Sequence, residues 1–488
     1  MRDLERGAAP LSKCRQGGAF EGQQRTEASR LLIGGSAVPT FSDQSSSPCK
    51  AAEALIARLA GPSTILAAVS GGSDSIGLLL AFHQVLAADA RHGHKLVAAT
   101  VDHGLRPEAA DEADAVFRLC AELSIPHIIR RWDGEKPKSG ISAASRDARY
   151  RLLIEAADSL DADVIITGHT LDDQIETVSM RAARSDSESN LGLAGMAEAV
   201  LLDRRRWLLR PFLATRREAI RDFLLRQGRG WADDPSNADR HYERVRVRES
   251  LVDRSDALLE AIQSAARRRS RLAEEAAELA RRHLRVEHGV LARLAPEALS
   301  EQSETLRHLL ANLAAILGGR QHLPAATTMD RVMAMLDGRH MGRTTAGRVM
   351  FDLRRQGLFM HRENRDQVVT RVDEGETVVW DGRYRIGNLS DDFVTVGASS
   401  ADRNLAIALF PDAPPAIAMR AMGVMPDITA AAPSSNGINK ASVIAEPILA
   451  PYDRFLPQFD LILASELGLS FGCDEFPAAP IKVFERKS

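Results

Sequence analysis

Between residues 51 and 215, short β-branched runs alternate with longer helical patterns, and this alternation constrains the fold more than any other feature of the chain. Thr64–Val69, Leu96–Val101, His127–Ile129 and Val164–Thr167 read as strands. Ser75–Ala88, Ala109–Leu123, Ser142–Ser159 and Leu171–Arg184 read as helices. Strand–helix–strand alternation predicts a parallel sheet covered on both faces. Ligands of such sheets bind beyond the carboxyl ends of the strands, so the residues that follow each strand are the first candidates for function.

The sharpest of these is Ser70-Gly71-Gly72-Ser73-Asp74-Ser75, between the first strand and its helix. Gly71 and Gly72 let the backbone bend tightly and approach a ligand. The next amides lie at a helix N-terminus, where the macrodipole favours negative charge, and Ser70, Ser73 and Ser75 add hydroxyl donors. Asp74 would repel a phosphate unless a cation sits between them, which argues for Mg²⁺ bridging a polyphosphate. No lysine follows the glycines, so this is not the Walker A arrangement. The bland alternative is an ordinary strand-to-helix turn with a Ser or Asp cap.

At 488 residues the chain is long enough for two or three domains. A hydrophobic fraction of 44% suits a buried core, 5% aromatics disfavour a protein built mainly from stacking platforms for single-stranded nucleic acid, and a net charge of −3 disfavours one that grips nucleic acid over its whole surface while leaving room for a local basic patch. Residues 1–50 are rich in Gly, Ser, Gln and Arg and are expected to be a disordered extension. An α/β domain is expected over 51–250, a helical substrate-binding or connecting domain over 251–343, and an α+β region over 344–488 with an Ala/Pro-rich loop at 411–436. The arginine-rich stretch 204–285 is mostly helical in pattern, and 444–488 shows no strong pattern. Cys14, Cys49, Cys120 and Cys473 are far apart, which excludes a zinc ribbon, a thioredoxin-like pair and a disulfide framework. Reduced thiols, no apolar run of membrane-spanning length and no secretory signal point to the cytoplasm.

Other groups carry two readings each. Asp172 and Asp173, four and three residues before Glu176, either complete a metal site with Asp74, position a substrate, or simply cap a helix. His103 and His169 either contact nucleotide or substrate or are structural. Arg146 and Arg149 share a helix face and either bind phosphate or an activated base, or form surface pairs with Asp147 or Glu155. Arg210, Arg244, Arg246 and Arg248 either bind nucleic-acid phosphates or belong to a solvated face.

Ser70–Ser75 resembles the SGGxDS signature of the PP-loop ATP pyrophosphatases, which adenylate an oxygen, release pyrophosphate and let a nucleophile displace AMP. Further blocks follow in order: Asp102-His103-Gly104-Leu105-Arg106, Ser145–Tyr150, Gly168–Thr177, Gly192–Met196, Arg210–Leu213 and Trp231–Asn237. Together they resemble the tRNA(Ile)-lysidine synthetase family over about 64–250. Two stretches depart from its pattern: Arg184–Asn190 replaces a Gly-rich loop, and Arg244-Val245-Arg246 replaces Arg-Asn-Arg.

The resemblance implies a Rossmann-like PP-loop fold and a cytoplasmic ATP-dependent carbon–nitrogen ligase. In this family ATP adenylates the C2 oxygen of the wobble cytidine in an isoleucine tRNA with a CAU anticodon. The ε-amine of free lysine then attacks, giving lysidine, AMP and pyrophosphate, and decoding changes from methionine to isoleucine. It further implies that Ser70–Ser75 hold pyrophosphate, with His103 and His169 near the nucleotide. Asp74 and Asp173 would hold Mg²⁺, Glu176 would orient the amine, and residues after 204 would hold tRNA. Thiolating relatives need cysteines that the catalytic region lacks, since only Cys120 lies there. The alternatives are a PP-loop adenylating ligase for a small molecule, and a non-catalytic tRNA-binding protein. The intact SGGxDS and LDDxxET blocks speak against the latter.

Overall fold

The computed structural model describes residues 47–105, 108–137, 139–183, 190–232, 255–300, 303–338, 341–430 and 442–482. Positions 1–46 of the expected extension lie outside them, as do Arg106, the 184–189 loop, Arg244, Arg246 and Arg248. The extension ends earlier than residue 50, because helix α1 runs over Pro48–Arg58. Ser47 caps it by accepting from the Lys50 amide at 3.3 Å, and Pro48 occupies the first helical turn, where its missing N–H costs nothing.

The expected α/β alternation is present: β1 (Thr64–Ala68), α2 (Ser73–Ala88), β2 (Lys95–Asp102), α3 (Glu108–Glu122), β3 (His127–Arg131), α4 (Ile141–Ser159), β4 (Val164–Thr167) and α5 (Leu171–Ala183). Next come a hairpin, β5 (Ala199–Leu202) and β6 (Arg206–Leu209), and helix α6 (Arg217–Arg226). The sheet has seven strands, the seventh being β18 (Phe455–Pro457), in the order β18-β5-β6-β4-β1-β2-β3. From β3 to β6 all neighbours are parallel, while β5 and β18 extend the sheet antiparallel. The chain leaves β1 toward β2 and β3, then returns to place β4 on the other side of β1. That reversal opens a crevice at the carboxyl ends of β1 and β4. Ile65, Leu66, Val164, Ile165 and Ile166 are fully buried, as expected where helices cover both faces. Each such side chain stabilises the fold by roughly 1.5–3 kcal/mol.

The rest of the chain is helical and then β-rich. Helix α7 spans Ser255–His283 and buries a stripe of small residues, including Ala266, Ala273, Ala276, Ala277 and Ala280, at the three- and four-residue spacing of one helix face. It packs on α8 (Ser303–Leu317) and on α12 (Leu461–Phe471). Beyond it, β7 (Leu284–Glu287), β8 (Leu291–Leu294), β9 (Gly342–Ala346), β10 (Val349–Arg354) and β11 (Gly357–Arg362) form a five-stranded antiparallel sheet. Two three-stranded sheets follow: β12 (Thr370–Val372), β15 (Val394–Ala398) and β16 (Pro426–Ala430) form one, and β13 (Thr377–Trp380), β14 (Tyr384–Asn388) and β17 (Val443–Pro447) the other, while α9 (Ala326–Asp337) precedes β9 and α10 (Arg403–Leu409) and α11 (Pro415–Met422) join β15 to β16. One hydrophobic core runs from α1 and the parallel sheet into α7, α8 and β9–β11. No helix among the described residues is long and apolar enough to cross a membrane.

Several parts of the pattern differ from expectation. The expected Ala/Pro-rich loop 411–436 holds the helix Pro415–Met422 and the strand Pro426–Ala430, its positions 431–436 lying outside the described residues, and the expected helical domain 251–343 carries the β7–β8 hairpin. Arg204, Arg205 and Arg206 lie at the β5–β6 turn and not on a helix; Asp203 and Arg204 take positive φ there, at 46° and 53°. The apparently patternless tail supplies β17 (Val443–Pro447), β18 and α12, and its β18 becomes an edge strand of the N-terminal sheet. That pairing joins residues some 250 positions apart.

Arg269 of α7 makes a bidentate ion pair with Asp460, with Nε donating to Oδ1 at 2.9 Å, just where α12 begins. Replacing Asp460 with Asn leaves a largely enclosed guanidinium without its counter-charge. Asp460→Asn is therefore expected to lower unfolding free energy by about 3 kcal/mol, read from the urea midpoint at unchanged slope. A midpoint equal to that of the unsubstituted protein would show that the pair is dispensable.

Candidate active site

The β1–β4 register sets Ala68 beside Thr167, so the loops that leave these two strands start side by side. Gly72 precedes α2 and caps it with no side chain, which leaves the helix start open to an anion. Gly71 takes φ 90°, a conformation that favours glycine, and its carbonyl accepts from the Ala232 amide at 2.9 Å. The serines divide their tasks. Ser75 Oγ accepts from the Ser70 amide at 3.1 Å and donates to the Gly72 carbonyl at 3.0 Å, so this hydroxyl braces the loop and is spent within it. Ser73 Oγ donates to Asp74 Oδ1 at 3.1 Å.

Opposite, Thr170 and Asp173 form a reciprocal cap at the start of α5. Asp173 Oδ2 accepts from the Thr170 amide and hydroxyl, both at 2.8 Å, and the Asp173 amide donates back to Thr170 Oγ1 at 3.3 Å. Asp173 thus caps its helix with one oxygen and turns the other into the crevice. Asp172 accepts from the Arg217 amide at 2.8 Å and lies 3.7 Å from the Arg216 guanidinium.

The acids meet at Arg217, one of the many arginines of the stretch 204–285. Arg217 Nε donates to Asp74 Oδ2 at 2.9 Å and Nη2 to Asp173 Oδ1 at 2.9 Å, while Nη1 lies 3.7 Å from Glu176 Oε1. Glu176 is buried. Burial pushes the Asp74 pKa upward, and Arg217 offsets this only in part. At Asp173 burial acts in the same direction, but Arg217, His169 and the Thr170 hydrogen bonds outweigh it and hold the pKa below the ordinary value. Among the described residues no group of three or more His, Cys, Asp or Glu side chains is disposed as a metal cage. Asp74 and Asp173 still fit magnesium chemically, since Mg²⁺ is commonly held by one or two carboxylates together with substrate phosphates.

Both expected histidines lie beside this crevice, and both are neutral at pH 7. Burial and then Arg210 hold His169 down at about 3, and its Nδ1 sits 2.9 Å from Thr167 Oγ1. Burial and then Arg149 hold His103 at about 4, where it stands edge-on to Trp132. Neutral imidazoles offer hydrogen bonds to a base or sugar and no charge to a phosphate. Burial likewise pushes the Cys120 thiol up to about 11, so it is not a nucleophile at neutral pH.

The arginines separate into two kinds. Arg210 was expected at a tRNA phosphate, but it is only 1% exposed and donates through Nη1 to the Ala197 carbonyl at 2.7 Å. Its charge acts on the Tyr150 hydroxyl: burial raises that pKa, and Arg210 and Arg146 together bring it below the ordinary value. Arg204, Arg206, Arg268 and Arg269 are committed to Asp453, Asp158, Glu304 and Asp460. Much of the arginine-rich stretch therefore ties the fold together, because guanidinium groups match carboxylates in bidentate geometry. Arg146 and Arg149 are exposed, and Arg146 lies over the Tyr150 and Phe455 rings at 5.6 and 5.9 Å. Arg146 also lines a cavity of about 900 Å³ with Arg151, Arg181, Arg269, Arg454 and Tyr452. Five arginines against three aspartates in its wall suit an anionic ligand.

A PP-loop domain family model matches residues 46–255. The chain is 43% identical over 429 residues to a tRNA(Ile)-lysidine synthase of Rhizobium meliloti (strain 1021), covering 86% of this chain and 94% of that one. It is 40% identical over 434 residues to the tRNA(Ile)-lysidine synthase of Mesorhizobium japonicum, covering 85% and 94%. It is 40% identical over 330 residues to that of Brucella ovis, covering 66% and 73%.

Gly168 lets the two loops touch. A Cβ built there would stand 2.6 Å from the Asp74 carbonyl oxygen and 2.8 Å from its carbon, and this is backbone that cannot swing aside. Gly168→Ala is expected to cost about 1–3 kcal/mol of stability and to weaken ATP binding at least tenfold by displacing the Ser70–Ser75 loop. Calorimetric titration with ATP checks it, and an unchanged affinity would show that this contact does not set the loop.

Proposed function

This chain belongs to the tRNA(Ile)-lysidine synthase family and is an ATP-dependent ligase, and from that premise we propose that it joins free lysine to C2 of the wobble cytidine of an isoleucine tRNA with a CAU anticodon. It works in the cytoplasm, and its product is charged with isoleucine and no longer decodes as methionine. The observation that carries this reading is the meeting of an open helix N-terminus with Asp74, Asp173 and Glu176 at the carboxyl ends of β1 and β4. An arginine-lined cavity nearby, into whose wall Arg146 projects, suits the anticodon loop.

In this reading the loop Ser70–Ser75 takes the β- and γ-phosphates on its amides. The C2 oxygen of the cytidine attacks the α-phosphorus, and pyrophosphate leaves onto the same amides, which stabilise the developing charge. Asp74 and Asp173 would hold Mg²⁺, which when bound neutralises charge on the phosphates. Neutral His103 and His169 hydrogen-bond the nucleotide without adding charge. Lysine enters as its ammonium form. Glu176, the acid farthest from Arg217, holds that ammonium and takes a proton from it. The freed amine attacks C2, the C2–O bond breaks, and AMP departs with the oxygen. Arg146 and Arg149 position the tRNA, and the helical region after residue 250 extends its docking. Arg210 acts indirectly, by holding Tyr150.

Labelled lysine is expected to enter tRNA only with ATP and the CAU-anticodon isoleucine tRNA, with little incorporation of ornithine. Ornithine's one missing methylene moves the amine by about 1.3 Å and loses the attack geometry. Asp74→Asn is expected to lower adenylation more than tenfold in a pyrophosphate-exchange assay, a loss of more than about 1.4 kcal/mol of transition-state stabilisation. Sulfur incorporation, or ATP consumption with an amino acid and no tRNA requirement, would refute the reading.

A further inference from the structure

The roles assigned above leave Arg217 without a task, although it makes the most charged contacts in the crevice. It opens α6, and its amide is fixed by Asp172 at 2.8 Å. Its guanidinium stands between Asp74, at 2.9 Å, and Asp173, at 2.9 Å, with Glu176 at 3.7 Å. Both oxygens of each aspartate are engaged. On Asp74 they serve Ser73 and Arg217, and on Asp173 they serve Thr170 and Arg217. The guanidinium is thus a firm counter-ion, set where the two aspartates would share a metal.

We propose that Arg217 is a positioning residue that keeps the cation seat between Asp74 and Asp173 while nucleotide is absent, so that a divalent cation enters only together with ATP phosphates. Three carboxylates packed this closely repel one another, and one guanidinium holds them in register without a metal. A hydrated Mg²⁺ arriving alone must displace two charge-assisted hydrogen bonds and give up water to do so. A polyphosphate changes the balance. It offers the guanidinium a bidentate anionic partner of its own and brings oxygen ligands for the metal, so Asp74 and Asp173 are released to coordinate. The consequence is an ordered site in which metal and nucleotide bind as one unit.

The inference rests on the ATP-dependent reading of this site, but its test uses neither tRNA nor lysine, so a failed lysine assay would leave its outcome intact. Mn²⁺ serves as the probe, titrated by electron paramagnetic resonance against nucleotide-free protein. The unsubstituted protein and Arg217→Lys, which keeps the charge, are expected to bind Mn²⁺ only weakly. Arg217→Met is expected to bind it at least tenfold more tightly, and Asp173→Asn added to that variant is expected to remove the gain. An affinity in Arg217→Met equal to that of the unsubstituted protein would overturn the proposal. So would tight nucleotide-free Mn²⁺ binding by the unsubstituted protein that Asp173→Asn abolishes, a measurement that stands even if Arg217→Met does not fold.

Discussion

The ionic contact of Arg217 with Asp74, Asp173 and Glu176 joins three separate pieces of the chain: the loop after β1, the helix after β4, and the start of α6. Each acid is placed by a different local device. Asp74 rides on the first turn of α2, Asp173 is held by its cap with Thr170, and Glu176 lies one turn further along α5. None of these devices alone makes a site. The site exists because the sheet reverses strand order at β1, which brings the two carboxyl ends together. The Gly168 contact then presses their loops into touch.

Much of this was legible in the sequence. The strand over Val164–Thr167 and the helix start at Leu171 coincide with the expected bounds, because β-branched runs and a Thr-x-x-Asp start are local signals. The glycine turn before α2 was legible for the same reason, as its glycines, strand and helix are contiguous. Arg217 was not. It lies 143 residues from Asp74 and 44 from Asp173, and nothing in its neighbourhood separates it from Arg216 or Arg221. Only the return of α6 alongside α2 brings it into place.

The same limit explains the misassigned arginines and the tail. Charge in a sequence does not say whether a guanidinium faces solvent or a carboxylate. Arg210 turns inward to Ala197 and Tyr150, and Arg269 to Asp460, so both read as surface charge until the packing is known. Residues 444–488 carry short elements whose partners are remote: β18 pairs with β5, and α12 packs on α7. A three-residue strand has no period of its own to read, and only the sheet edge it completes defines it. Through β18 and Asp460 the end of the chain also helps to wall the arginine-lined cavity, so its apparent lack of pattern hid a structural role.

The central claim is that the cytidine C2 oxygen is the atom adenylated, and isotope transfer tests it most directly. An isoleucine tRNA carrying ¹⁸O at C2 of the wobble cytidine, incubated with the protein, ATP and lysine, is predicted to yield AMP that contains the label and lysidine that has lost it. AMP free of label after lysine has been incorporated would contradict the account, because the oxygen would then have left C2 without ever being bonded to phosphorus.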